Sequence, residues 1–153
     1  MLRLIFPYTA AFLCLVTLAP GQGDQETKLK AGDVPAAVIA AVAKQYPSAQ
    51  VSGWSKEVEN GKITYEASVI DGFSKRDIVF AESGSLLAVE EAIPVSDLPA
   101  AVRRAIRIKY PKASLRKAER ISQGDEVQYE VALAKASKKE VLLTPDGKIV
   151  KEE

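Results

Sequence analysis

The sequence predicts an α+β fold made of two tandem repeats, each one helix packed on a four-stranded antiparallel meander. Three observations predict it. The words Asp33-Val34-Pro35-Ala36-Ala37-Val38 and Tyr46-Pro47 return as Asp97-Leu98-Pro99-Ala100-Ala101-Val102 and Tyr110-Pro111. Laying residues 33–49 over 97–113 at an offset of 64 gives nine identities in seventeen positions, and self-similarity at a fixed offset marks a repeated architecture. Apolar residues in both words recur at three and four, the helical period, and the runs that follow alternate apolar with polar, the strand period. Turn dipeptides punctuate those runs at Asn60-Gly61, Asp71-Gly72 and Ser83-Gly84, and Asn-Gly and Asp-Gly are strong hairpin signals.

Residues 1–23 read as a secretory signal peptide: Arg3, an apolar run from Leu4 to Ala19, then Pro20-Gly21-Gln22-Gly23. The run has sixteen residues, fewer than the roughly 20 that a membrane-spanning helix needs. No transmembrane segment is therefore expected in the mature chain, and the location expected is periplasmic or secreted. The single cysteine, Cys14, falls in this segment, so the mature chain relies on packing rather than on disulfides. Residues 24–32 are polar and aperiodic and read as a flexible leader.

The first repeat, residues 33–95, opens with a helix whose start is marked by Asp33 and Pro35, a capping residue and a proline suited to the first turn. Val34, Ala37, Val38, Ala41 and Val42 form its apolar stripe. Pro47 ends it, because the residue before a proline avoids helical geometry. Strands follow at about 51–59, 63–70, 75–81 and 86–91. In the second of these Ile63, Tyr65, Ala67 and Val69 alternate with Thr64, Glu66 and Ser68, so one face is buried and the other is open. The second repeat, residues 96–153, does the same with Leu98, Ala101, Val102, Ala105, Ile106 and Tyr110 on its helix, and with Val127, Tyr129, Val131 and Leu133 facing inward opposite Gln128 and Glu130.

Composition narrows the function. The chain has no histidine, which excludes Ser-His-Asp and Cys-His nucleophilic sites and histidine acid–base catalysis. With no cysteine after the signal segment, zinc sites are excluded too. No catalytic, cofactor or metal residue is expected, and the chain reads as a non-enzyme. Residues 24–95 carry 7 Lys and Arg against 11 Asp and Glu, and residues 96–153 carry 13 against 9. An asymmetry of that size orients a partner but does not predict nucleic-acid binding.

The order of helix, Tyr-Pro, strand with a Trp, Tyr-Glu strand, apolar strand, Gly turn and final strand, written twice, resembles the PepSY-like family, whose fold is similar to the beta-lactamase inhibitor protein. The resemblance rests on Leu98-Pro99 with Tyr110-Pro111, on Tyr129-Glu130, and on Thr144-Pro145-Asp146-Gly147-Lys148. Two positions depart from the pattern: Ala118 stands where the first copy has Trp54, and Ser83 replaces the turn aspartate. The resemblance implies a bacterial, exported binding protein whose partner is another extracytoplasmic protein, with inhibition of an enzyme as one form of that function.

The open sheet face is the expected partner-binding site, marked by Thr64, Glu66, Ser68, Gln128 and Glu130. Trp54 is a further candidate, equally consistent with an exposed anchor and with a core position on a bulged strand. Glu66 and Glu130 are a carboxylate pair in name only, because the repeat accounts for their recurrence without catalysis. An alternative site is the basic outer face of the second helix, Arg103, Arg104 and Arg107, which would take a small molecule or a polyanion of the cell envelope. The equivalent residues of the first helix, Ile39, Ala40 and Ala43, are apolar.

Overall fold

The structure, a computed structural model, describes residues 25–59 and 61–153. The expected signal peptide, Asp24, and Asn60 of the first hairpin turn lie outside the described residues. Two helices, α1 (Ala36–Gln45) and α2 (Ala100–Lys109), accompany nine strands. The strands are β1 (Gln25–Leu29), β2 (Gln50–Glu59), β3 (Lys62–Asp71), β4 (Ser74–Phe80), β5 (Leu86–Ile93), β6 (Ser114–Gln123), β7 (Glu126–Ala134), β8 (Glu140–Leu143) and β9 (Ile149–Glu152).

All nine strands form one antiparallel sheet in chain order. The four strands that follow each helix, β2–β5 and β6–β9, run on into one continuous sheet, joined where β5 pairs with β6 through Val89–Ser122 to Ile93–Ala118. Residues 24–32, expected to be a flexible leader, instead supply β1, which pairs with β2 from Gln25–Val58 to Leu29–Trp54. The Gln-Glu-Thr-Lys-Leu run has no apolar alternation to announce a strand. Its order comes from backbone pairing with β2 and from Leu29, which packs on the first core.

Both helices lie on the same sheet face, each over its own core. Val34, Val38 and Val42 meet Tyr65, Ala67, Val69, Ile78 and Phe80; Leu98, Val102, Ile106 and Tyr110 meet Ala118, Val131, Leu133, Val141 and Leu143. Asp33 does not cap α1 as expected. It lies in a 3-10 turn, Ala31–Asp33, and Pro35 occupies the N-cap position with no side-chain hydrogen bond. Tyr46 and Tyr110 end the helices outside helical geometry, at φ −130° and −125°, as the prolines after them require.

Details of the two halves recur, at an offset of 64 for the first bulge and of 63, one residue fewer, for the second bulge and the turn glycine. Register shifts fall between Val51 and Gly53 and again between Leu115 and Lys117, then between Val79 and Phe80 and again between Leu142 and Leu143. Such bulges bend and twist a sheet. Gly84 (φ +81°) and Gly147 (φ +88°) take equivalent places beneath the helices. A Cβ on them would lie 2.5 Å from the Ala37 carbonyl oxygen and 2.6 Å from that of Ala101. Glycine is needed there for both its conformation and the close approach.

Candidate functional site

Alternation along the strands fixes what the other face presents. Since Tyr65, Ala67 and Val69 pack under α1, Thr64, Glu66 and Ser68 point away from it; Gln128 and Glu130 likewise lie opposite Val131 and Leu133. Trp54 is not with them. It is half-buried against the first core, on the helix side. The bulge between Val51 and Gly53 lets Val51 and Trp54 both face the helix, which a regular strand forbids.

The face that bears Glu66 and Glu130 is not the solvated polar surface that alternation alone implies. Val79, Ala88, Ile121 and Leu142 belong to it and are buried, although neither helix lies on that side. On this face the side chains of neighbouring strands bury one another. Ser55 and Glu90 are only 5% and 8% exposed.

Carboxylates dominate the face. Strand by strand its charged groups include Glu26 and Lys28, Glu57, Lys62 and Glu66, Lys75 and Asp77, Glu90, Lys117 and Glu119, Glu126 and Glu130, Glu140, and Lys151 with Glu153. Register sets three like-charged pairs directly opposite each other across neighbouring strands: Glu26 and Glu57, Asp77 and Glu90, Glu119 and Glu130. Such pairs oppose sheet formation. Within two of the pairs Ser68 Oγ donates to Asp77 Oδ1 at 2.6 Å, and Lys117 Nζ reaches Glu119 Oε1 at 3.0 Å; Glu26 and Glu57 have partners of their own.

Burial, reinforced by Glu66, Glu119, Glu130 and Asp77, pushes the Glu90 carboxyl up to about 9. Burial together with Asp77, Glu26 and Glu57 pushes Glu66 up to about 8. Glu130 rises to about 7, again chiefly through burial, with Glu140 and Glu119 adding to it. The middle of the face therefore holds protons at neutral pH that ordinary carboxylates would have lost. Among the described residues, Ser55 Oγ and Glu140 Oε2 are buried without a hydrogen-bond partner. Glu140 has a plain cause: it sits opposite Ala132, whereas its counterpart Asp77 sits opposite the donor Ser68.

Ser55, Asp77, Glu90 and Glu119 were not singled out from the sequence. Period-two counting from the buried residues of each strand would have placed them on this face, but their burial has no sequence signal. The alternative basic patch is less free than its composition implies. Arg103 turns back to donate to the carbonyl oxygens of Ser96, at 2.6 Å, and Leu98, tying the start of α2, while Arg104 and Arg107 are exposed. On α1, Ala40 and Ala43 are exposed and Ile39 packs partly on the first core.

The described residues thus form a helix-backed antiparallel sheet with one face that neither helix covers and that is rich in carboxylates. The chain belongs to the family described as "Putative beta-lactamase-inhibitor-like, PepSY-like", whose model matches residues 23–88 and 63–151. Among solved structures it is similar to a DUF2874 family protein from Bacteroides uniformis ATCC 8492, at 21% identity over 78% of this chain and 88% of that one, with a TM-score of 0.66. A BLIP-like protein from Bacteroides fragilis NCTC 9343 is 20% identical over 76% and 83%, with a TM-score of 0.58. A Bacteroides eggerthii DSM 20697 structure described as "putative periplasmic proteins" is 17% identical over 78% and 88%, with a TM-score of 0.66. At these identities the likeness is one of fold. No curated protein matches the sequence. Among the described residues no helix is long and apolar enough to cross a membrane.

Proposed function

We propose that the chain is an exported, non-enzymatic protein-binding module, made of two fused helix-plus-meander units (33–95 and 96–153), that holds another extracytoplasmic protein on its helix-free sheet face. The observation that carries the reading is the combination on that face of buried apolar side chains, Val79, Ala88, Ile121 and Leu142, with a field of carboxylates. Those apolar side chains are already buried in the free chain and form the floor of the face, so the carboxylates around them are what a partner would meet, by charge complementarity. Where the partner is an enzyme, such binding would act as inhibition, in keeping with the family's description.

A hydrolytic role for Glu66 and Glu130 lacks support. They sit on β3 and β7, four strand spacings apart, about 19 Å along the sheet and well beyond the roughly 5–9.5 Å that paired glycosidase carboxylates require. The test is affinity capture from an envelope extract with the partner identified by mass spectrometry, comparing the wild-type chain with Glu66→Arg/Glu130→Arg. Loss of one specific protein with the double variant supports the reading. Retention by that variant, with loss on Arg104→Glu/Arg107→Glu and at moderate salt, would move the site to α2 and to an anionic ligand.

A further inference from the structure

We propose that the partner seats a lysine side chain over Gly53 of β2, its ammonium among Ser55, Glu66 and Asp77, in the place that Lys117 fills in the second half of the chain. This rests on the protein-binding reading above and names the group that is bound. The duplication supplies the template. Gly53 lies directly across from Ser68, and Lys117 directly across from Ala132, each just past the first bulge of its half. Two residues on, Ser55 faces Glu66 as Glu119 faces Glu130. One strand further, Asp77 stands across from Ser68 as Glu140 stands across from Ala132. In the second half the Lys117 ammonium reaches Glu119 Oε1 at 3.0 Å. Burial raises Glu130 and Glu140 above the ordinary carboxyl range, and the Lys117 charge pulls both back. The first half keeps acids at both of those positions but has no side chain where the lysine stands.

The first half shows what that lysine would satisfy. Ser55 is only 5% exposed and its hydroxyl has no hydrogen-bond partner. It sits on the same strand and face as Gly53, directly across from Glu66, so the orphaned oxygen and the acid are neighbours. Such a hydroxyl opposes folding, and its lone pairs accept from an ammonium. Burial, then Asp77, Glu26 and Glu57, push Glu66 up to about 8, against about 7 for Glu130 with Lys117 beside it. Space is what glycine leaves at residue 53. Its φ is not positive, and a Cβ there would meet nothing nearer than Ser68 Cβ at 3.8 Å and Oγ at 3.9 Å. Lys28, across from Ser55 on β1, and Lys75 on β4 are exposed on either side. Among the described residues no three acidic groups converge closely enough to hold a metal ion, which fits an ammonium on an aliphatic stem.

The experiment is calorimetric titration of the purified full chain with a tetralysine peptide at pH 7, repeated in buffers of different ionisation enthalpy to count released protons. Binding with net proton release is expected, because an ammonium beside Glu66 ionises a carboxyl that holds its proton in the free chain. Gly53→Lys supplies the ammonium from within, as Lys117 does, and should weaken binding about tenfold, the scale on which a buried charge partner acts. Gln128→Lys adds the same charge to the same face five strands away and should weaken it far less. Should Gly53→Lys not fold, Glu66→Gln gives the same reading, weaker binding without proton release, and Ser55→Ala should weaken binding severalfold.

Equal weakening by Gln128→Lys, binding without proton release, or indifference to both Ser55→Ala and Glu66→Gln would mean diffuse attraction and overturn the proposal. So would displacement of the peptide by calcium chloride but not by sodium chloride of equal ionic strength, which would make this a metal seat. A chain that binds the peptide only after Lys28→Gln would have its seat filled by its own lysine, and would overturn it too. If partner capture survives Gly53→Lys but is lost with Glu66→Arg/Glu130→Arg, this inference fails and the binding module stands. If capture survives both, the module's assignment to this face fails on its own.

Discussion

At the middle of the sheet, strands β4, β5 and β6 carry charges on both faces and arrange them in opposite ways. On the helix side Arg76, Glu91 and Arg120 lie in register across the three strands. Glu91 bridges the two arginines, Oε1 at 3.2 Å from Arg76 Nη2 and Oε2 at 2.6 Å from Arg120 Nη2. One residue along each strand, on the other face, Asp77 and Glu90 stand opposite each other, with Glu119 on the next strand across from Ala92. The first arrangement ties the two halves together across the β5–β6 junction. The second works against folding, and a sequence that can place alternating charges on one side had the same means available on the other. Stability is thus served on the helix side and given up on the helix-free side.

The comparison predicts opposite responses to pH and mutation. The largest effect should come from pH. A carboxyl whose folded pKa lies above its unfolded value binds its proton more tightly when folded, so stability falls as pH rises past the unfolded value. With Glu66, Glu90 and Glu130 raised from 4.5 to about 8, 9 and 7, unfolding free energy should decline steeply from pH 5 to pH 9, since each pKa unit is worth about 1.4 kcal/mol. Urea titrations across that range would show it. Glu90→Gln should flatten the decline and be more stable than wild type at pH 9. A wild-type curve that is flat or rises over this range would mean the face is solvated after all.

Next in size is the helix-side network. Glu91→Gln removes the shared anion and leaves Arg76 and Arg120 facing each other, which should cost about 1–2 kcal/mol, scaled down from a fully buried pair because the arginines are partly exposed. The sign is the contrast to watch: neutralising Glu91 destabilises, whereas neutralising Glu90 at high pH stabilises. Smaller still, Ala132→Ser should supply Glu140 with the donor that Ser68 gives Asp77, raising stability by about 0.5–1 kcal/mol, the net worth of a hydrogen bond. Ser55→Ala should be the smallest, neutral or stabilising by a few tenths of a kcal/mol, because it deletes a hydroxyl that has no partner. A clear loss on Ser55→Ala would show that the hydroxyl is already satisfied within the fold.

By itself the sequence determined the two helices, their proline-ended termini, the strands after them and the side of the sheet that each alternating residue faces. These are local properties: helical and strand periods depend on neighbours a few residues apart, and Gly84 and Gly147 mark their turns whatever lies across from them. It also carried the duplication, since identical words at a fixed offset need no contacts to be read. Tertiary structure alone decided the rest. β1 exists because β2 offers a backbone edge, and backbone hydrogen bonds leave no trace in side-chain pattern. Joining the halves into one sheet depended on β5 finding β6 across the whole second helix. Trp54 went to the core because a bulge shifted its parity. Glu90 met Asp77 and became buried, and Glu119 met Glu130, only when strand register was set; register comes from pairing between residues far apart in the chain, where charge, spacing and period are silent.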